Sequence, residues 1–306
     1  MGQMSGAIVK TQELTVYYGK HRGIIDVDLS IEEGEVFGFL GPNGAGKTTT
    51  QRVLMDVIRP SKGTATIFGL DSQKEGVAIR KRIGYLPGEL SLYPNMRGRN
   101  FLHMIGSLQE KEIEPSYRQE LYERLDLDPN RKMKEYSQGN KQKIGIVAAF
   151  MGRPDLLVLD EPTSGLDPLV QQVVMELVRE SREDGRTVFF SSHILPEVEA
   201  VCDRVGIIRD GRLVKTERVE TLTKRQYRRV NLQLQRLPPT DTFAFDGVAE
   251  TGREGQIVML EVRGGLQQVL ETAMAYGIED IETPPVTLEE IFLEFYDRKN
   301  QGRNRA

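Results

Sequence analysis

Gly41-Pro42-Asn43-Gly44-Ala45-Gly46-Lys47-Thr48 fits G-x-x-x-x-G-K-[ST] at every position. The glycines let the backbone curl until successive N–H groups face one centre, an anion nest. A helix starting at the end of this stretch adds the positive end of its dipole to the same point. The Lys47 ammonium then reaches the β and γ phosphates of a nucleotide, and the Thr48 hydroxyl holds Mg²⁺. The flanks suit this reading. Residues 35–40 form a short apolar strand, and residues 48–58 place Val53, Leu54, Val57 and Ile58 at helical spacing. Residues Gly41 to Thr48, with Thr49, are therefore the expected phosphate-binding set, and Lys47 is also a catalytic candidate.

Working outward, residues 24–31 alternate like a strand up to the turn Glu32-Glu33-Gly34, and residues 64–68 alternate after the break at Pro60-Ser61-Lys62-Gly63. Residues 88 to about 150 change texture. Helical periods at 101–109, 115–125 and 138–151 predict a helical insertion. Continuous apolar strands return at 156–159, 187–190 and 205–208, alternating with helices at 168–184 and 195–201. That pattern predicts a mostly parallel sheet covered on both faces, an α/β fold. Asp210-Gly211 predicts a two-residue hairpin turn. Beyond about residue 218, strands at 230–234 and 257–262 and helices at 266–276 and 288–296 predict a separate small α+β unit.

The strand 156–159 runs into Asp160-Glu161. Two acids at the end of a buried apolar strand are costly unless they work. Beside a phosphate loop, Asp160 is placed to hold Mg²⁺ through water and Glu161 to polarise an attacking water.

Composition narrows the class. The 306 residues carry 41 basic and 45 acidic side chains, a formal charge of −4, which argues against a nucleic-acid partner. One cysteine excludes an intramolecular disulfide and suggests a reducing compartment. The longest uncharged run, residues 36–46, is far short of the ~20 apolar residues a spanning helix needs. No secretory signal is expected at the start. Arg80-Lys81-Arg82, Arg228-Arg229 and the basic tail read as solvated faces.

Further residues narrow the site. Tyr136-Ser137-Gln138-Gly139-Asn140-Lys141-Gln142 resembles the signature motif of ATP-binding-cassette (ABC) ATPases, in the Ser-x-Gly-x-Lys-Gln form of bacterial exporters. Ser164-Gly165-Leu166-Asp167 resembles the D-loop of that family, His193 its switch histidine, and Tyr18 before Gly19 the aromatic that stacks on adenine. The motifs follow the family's order, and the resemblance covers residues 8 to about 218. More weakly, residues 285–294 look like the end of drug-type and sodium-type exporter ATPases.

The resemblance implies a P-loop NTPase core of ABC ATPase type at 8–218, with an N-terminal antiparallel β subdomain and a helical signature subdomain at about 88–150. An accessory unit at 219–297 and a frayed tail at 298–306 complete the expected domains. It implies an ATPase using ATP and Mg²⁺, and peripheral on the cytoplasmic face of a membrane. Its partners would be an integral membrane permease on another chain and a second ATPase subunit, as a homodimer. Glu161, His193 and Lys47 would be catalytic. Tyr18, Ser137, Gly139 and Asp167 would join the nucleotide site, with the signature residues Ser137 and Gly139 coming from the facing subunit.

Each residue also has a plainer reading. Ser137 suits a helix cap, His193 a satisfied strand-end histidine, and Tyr17 competes with Tyr18. The stripe Leu288, Ile291, Phe292 and Phe295 suits core packing.

The chain departs from the family where a glutamine is expected after Ile83-Gly84-Tyr85-Leu86-Pro87: the residue is Gly88, followed by Glu89. Glu89, or a water, is then expected near Mg²⁺. Two competing classes remain. A non-transport ABC ATPase acting on ribosomes or DNA would usually carry two cassettes or long coiled-coil insertions. A GTPase would need Asn-Lys-x-Asp, whereas Asn140-Lys141-Gln142 is followed by Lys143.

Overall fold

The structure, a computed structural model, describes residues 6–109, 111–223 and 228–284. The expected helix at 288–296 with its apolar stripe, the family-like segment at 285–294 and the tail lie outside these. The chain divides into two compact units, Met1–Val219 and Glu220–Ala306.

The first unit opens with β1 (Ala7–Tyr18), β2 (His21–Val27) and β3 (Ser30–Glu32). Then come β4 (Val36–Leu40), α1 (Lys47–Leu54), β5 (Lys62–Ile67), β6 (Leu70–Asp71), α2 (Gly76–Arg80) and β7 (Ile83–Leu86). The insertion supplies α3 (Gly98–Gly106), α4 (Pro115–Arg124) and α5 (Gln138–Phe150). The core resumes with β8 (Leu156–Asp160), α6 (Pro168–Glu183), β9 (Thr187–Ser192), α7 (Leu195–Val201), β10 (Arg204–Arg209) and β11 (Arg212–Arg218). Helix α8 (Val219–Thr223) follows. The second unit holds β12 (Arg228–Leu234), β13 (Val248–Glu254), β14 (Ile257–Val262), α9 (Leu266–Met274) and β15 (Ile278–Glu282).

The central sheet has the order β11-β10-β4-β9-β8-β7. Every pairing in it is parallel except the edge hairpin β10–β11. Strands β4, β8 and β9 are buried at every position, which is why they read as unbroken apolar runs. The β10–β11 turn is built as expected: Asp210 and Gly211 take φ of 51° and 73°, the two left-handed positions of a type I′ hairpin. A second, antiparallel sheet runs β2-β1-β5-β6, with β3 on β1.

One apolar core fuses the two sheets. Ile24, Ile31 and Ile67 of the antiparallel sheet and Val53 and Leu54 of α1 meet Phe37, Phe39, Leu156, Val158 and Phe189 of the central sheet. The rings of Phe39 and Phe189 lie 5.4 Å apart in a tilted pair. Each of these fully buried aromatics contributes about 1.5–3 kcal/mol. On the opposite face α7 packs on β4 at Gly38, where a Cβ would stand 2.9 Å from both Cys202 Sγ and Val198 Cγ1.

Helix α1 ends at Leu54, four residues before the periodicity does, because Asp56 takes φ of 55° and turns the chain. Residues 28–29 interrupt the expected strand 24–31, so β2 and β3 form separate pairs with β1. The second unit is a four-stranded antiparallel sheet, β13-β14-β12-β15. Val230, Leu232, Leu234, Val258, Leu260 and Val262 line one face under Val269 and Ala273 of α9.

Candidate active site

The loop between β4 and α1 is shaped by positions where no side chain fits. Gly44 and Gly46 take φ of 78° and 115°. A Cβ on Gly46 would stand 2.6 Å from Ile24 Cγ2, and one on Gly41 2.3 Å from the Ile208 carbonyl oxygen. Lys47 curls back over this loop. It is 5% exposed, donates to the carbonyls of Gly41 at 2.6 Å and Pro42 at 3.3 Å, and pairs with Glu161 Oε1 at 3.1 Å.

Strand β8 delivers its acids to the same point. Thr48 Oγ1 donates to Asp160 Oδ2 at 2.7 Å, and Ser191 Oγ donates to Asp160 Oδ1 at 2.6 Å. Asp160 is 1% exposed, so both its oxygens are aimed by hydroxyls rather than by water. Among the described residues no group of three or more His, Cys, Asp or Glu side chains could hold a metal alone. Mg²⁺ needs less: one or two protein oxygens, completed by phosphates and water, and the Thr48–Asp160 pair is such a set of hard donors. Tyr85 on β7 lies nearby, its phenol pushed up to about 12 by burial and by the Asp160 charge, so it stays neutral.

Glu161 holds a left-handed conformation with φ of 49°, strain of about 1–3 kcal/mol that the surroundings must enforce. They do so from both sides. Its N–H donates to the Ser191 carbonyl at 3.1 Å. Gln142 Nε2, from α5, donates to the carbonyls of Glu161 at 3.4 Å and Pro162 at 3.1 Å. The result points the carboxylate away from the strand, with Oε1 on Lys47 and Oε2 3.2 Å from His193 Nδ1.

Lys47 and Glu161 border an open cleft of about 270 Å³, lined also by Tyr18, Arg22, Gly23, Asn43, Gly44, Gly46, Thr48 and Thr49. The choice between the tyrosines falls to Tyr18. It is half-exposed over Gly23, where a Cβ would stand 3.1 Å from its ring, and its hydroxyl is 3.4 Å from Thr49 Oγ1. Tyr17 is outside the lining.

Ser137, Gly139 and Asp167 do not line this cleft. Within one chain Ser137 caps α5 by accepting from Asn140 N at 3.2 Å, and Asp167 caps α6 by accepting from Val170 N at 3.1 Å. A Cβ on Gly139 would stand 3.1 Å from the Gly165 carbonyl, so the signature segment and the D-loop lie side by side.

Glu89 is exposed and outside the cleft lining, whereas Gly88 backs on to the acid, where a Cβ would stand 2.9 Å from Asp160 Oδ2. Glu89→Ala is therefore expected to leave the Mg²⁺ dependence of ATP hydrolysis unchanged. A metal titration that shifts would return Glu89 to the site.

Sequence reading missed Ser191, the contacts of the signature residue Gln142, and Arg22. The first two act through polar contacts between elements far apart in sequence. Arg22 reaches the cleft from β2, its guanidinium 3.2 Å from Asp210 Oδ1; only its nearness to Tyr18 hinted at it.

Comparison with known proteins points the same way. The sequence model of the family described as ABC transporter matches residues 24–164. The bacitracin transport ATP-binding protein BcrA of Bacillus licheniformis is 37% identical over 234 residues, 74% of this chain and 75% of that protein. The ABC transporter ATP-binding protein NatA of Bacillus subtilis is 37% identical over 207 residues, 66% of this chain and 84% of that protein. Among solved structures, an ATP-binding subunit of an ABC transporter superposes with a TM-score of 0.65 at 26% identity, covering 71% of this chain and 92% of that one. A dimeric ATP-binding cassette with ADP and Pi bound shares the fold, with a TM-score of 0.63 at 22% identity over 70% of this chain and 99% of that one.

Proposed function

The chain belongs to the ATP-binding proteins of ABC transporters, and we propose that it powers export through a permease encoded on a separate chain. It binds and hydrolyses ATP. One observation supports the assignment of residues: Lys47, Thr48 and Glu161 line one cleft with Tyr18, with Asp160 bonded to Thr48 and His193 paired with Glu161 behind them.

In this reading the loop Gly41–Thr49 and Lys47 bind the phosphates, and Tyr18 stacks on adenine through its π face. Thr48 and Asp160 would hold Mg²⁺, which supplies neutralisation of charge on the transferred phosphoryl group. Glu161 orients the attacking water, with His193 against its second oxygen. Lys47, already desolvated, stabilises charge by exchanging its Glu161 contact for phosphate oxygens. Ser137, Gly139 and Asp167 serve the cleft of a second copy. Their position outside their own cleft supports a head-to-tail homodimer, in which each subunit gives one loop and one signature.

No helix among the described residues is long and apolar enough to cross a membrane, so the spanning element belongs to the partner. This supports a peripheral place on the cytoplasmic face. An apolar groove of about 360 Å³ between the α/β core and the helical insertion suits its docking, lined by Val77, Ile83, Tyr85, Ile105, Leu108 and Ala148. Val77 and Leu108 are 67% and 64% exposed. Val77→Asp is expected to leave hydrolysis by the purified chain intact while abolishing co-purification with an integral membrane protein. Retained co-purification would move the dock elsewhere. The transport names of the relatives weigh against action on ribosomes or DNA; ribosomes in place of a membrane protein in that pull-down would reverse the choice.

A further inference from the structure

Glu197 lies in the first turn of α7, outside the cleft lining, yet it touches both catalytic segments. Its Oε1 accepts from Thr163 Oγ1 at 2.5 Å and its Oε2 from Ser192 Oγ at 2.6 Å. Thr163 stands two residues after Glu161, and Ser192 immediately before His193. Both hydroxyls are buried, at 3% and 2% exposure. Short hydroxyl–carboxylate bonds in such a place are strong and geometrically strict. Ser192 Oγ in turn accepts from Ile194 N at 2.9 Å, which fixes the hydroxyl as a donor toward Glu197.

We propose that Glu197 is a positioning residue for ATP hydrolysis. Its two oxygens lock the segment that carries Glu161 to the segment that carries His193. The lock holds the carboxylate and imidazole at their 3.2 Å separation. Through Thr163 it also ties the D-loop Ser164–Asp167 to this pair, since the D-loop begins at the next residue. Two further ties hold the same stretch by its backbone: Gln142 on the Pro162 carbonyl and Gln171 on the Leu166 carbonyl at 3.0 Å. Glu197 joins Thr163 to the switch segment through a hydroxyl on each side. The proposal rests on the reading of Glu161 and His193 as the hydrolytic pair.

Glutamine at 197 keeps the volume but turns one acceptor into a donor. One of the two hydroxyls then faces an N–H donor and loses its acceptor, because both present their protons to this side chain. The test measures kcat and KM for MgATP, and affinity for ADP, on the full chain. Glu197→Gln is expected to lower kcat about tenfold while KM and ADP affinity stay within about twofold. Thr163→Val deletes one bond from its other end and is expected to lower kcat in the same way. The double variant should be little worse than Glu197→Gln alone, as for one shared interaction.

A kcat within twofold of wild type overturns the proposal. So does an ADP affinity that falls in step with kcat, since the cleft itself would then be disturbed. Fully multiplicative effects of the two substitutions overturn it as well. If Glu197→Gln does not fold, Thr163→Val carries the kcat–KM comparison. Glu161→Gln run alongside separates the two levels. Normal turnover there removes the underlying reading. Loss there with normal turnover at Glu197→Gln removes only this proposal.

Discussion

Lys47→Ala is expected to lower ADP and ATP affinity by a factor of about 10²–10⁴ and to abolish measurable hydrolysis. The ammonium would make two charge-assisted contacts to phosphate oxygens, each of about 1.5–3 kcal/mol. It is held ready for them: nearly buried and anchored on the Gly41 and Pro42 carbonyls. Alanine also leaves Glu161 Oε1 without its ion pair, adding a second anion against the phosphates. The fold should survive, because Glu161 keeps His193 and partial access to water. Calorimetric titration with ADP isolates the binding loss from catalysis. Affinity within about threefold of wild type would show that the glycine loop and helix dipole suffice and that Lys47 serves chemistry only.

Glu161→Gln is expected to separate the two steps that Lys47→Ala merges. Loss of a general base lowers turnover about 10²–10⁴-fold. Nucleotide binding should not weaken, because the neutral amide no longer competes for Lys47 across the 3.1 Å contact. In the proposed head-to-tail dimer, ATP that binds without being cleaved is expected to hold two subunits closed. Gel filtration with MgATP should therefore show a dimer, and with MgADP a monomer. Turnover near wild type would overturn the assignment of Glu161. Loss of turnover with no ATP-dependent dimer would instead break the link between hydrolysis and closure.

The site was legible wherever its chemistry sits in consecutive residues. The loop Gly41–Thr48 reads directly, because Gly44 and Gly46 answer a local demand for positive φ; Gly41 answers a distant one, the Ile208 carbonyl. Asp160-Glu161 reads because two acids ending an apolar strand contradict its burial pattern. Glu197, Ser191 and the contacts of Gln142 were not legible: a glutamate in the first turn of a helix looks like ordinary dipole matching. The fold followed the same division. Strands β4, β8 and β9 announced themselves as buried apolar runs. Strand β13, with Glu250, Gly252 and Glu254 among its residues, exists through its pairing with β14 rather than through any pattern of its own.

The phosphate loop determined that this chain handles nucleotide phosphates on an α/β core, and its longest uncharged run, residues 36–46, is shorter than a membrane-crossing helix needs. Only the tertiary structure decided which side chains share the cleft. It chose Tyr18 over Tyr17, set Gly88 rather than Glu89 against Asp160, and turned Ser137 and Asp167 into helix caps outside their own site. Local conformational preference is written in neighbouring residues. A distance between side chains depends on the packing of strands and helices far apart in the chain, and no single stretch of sequence encodes it.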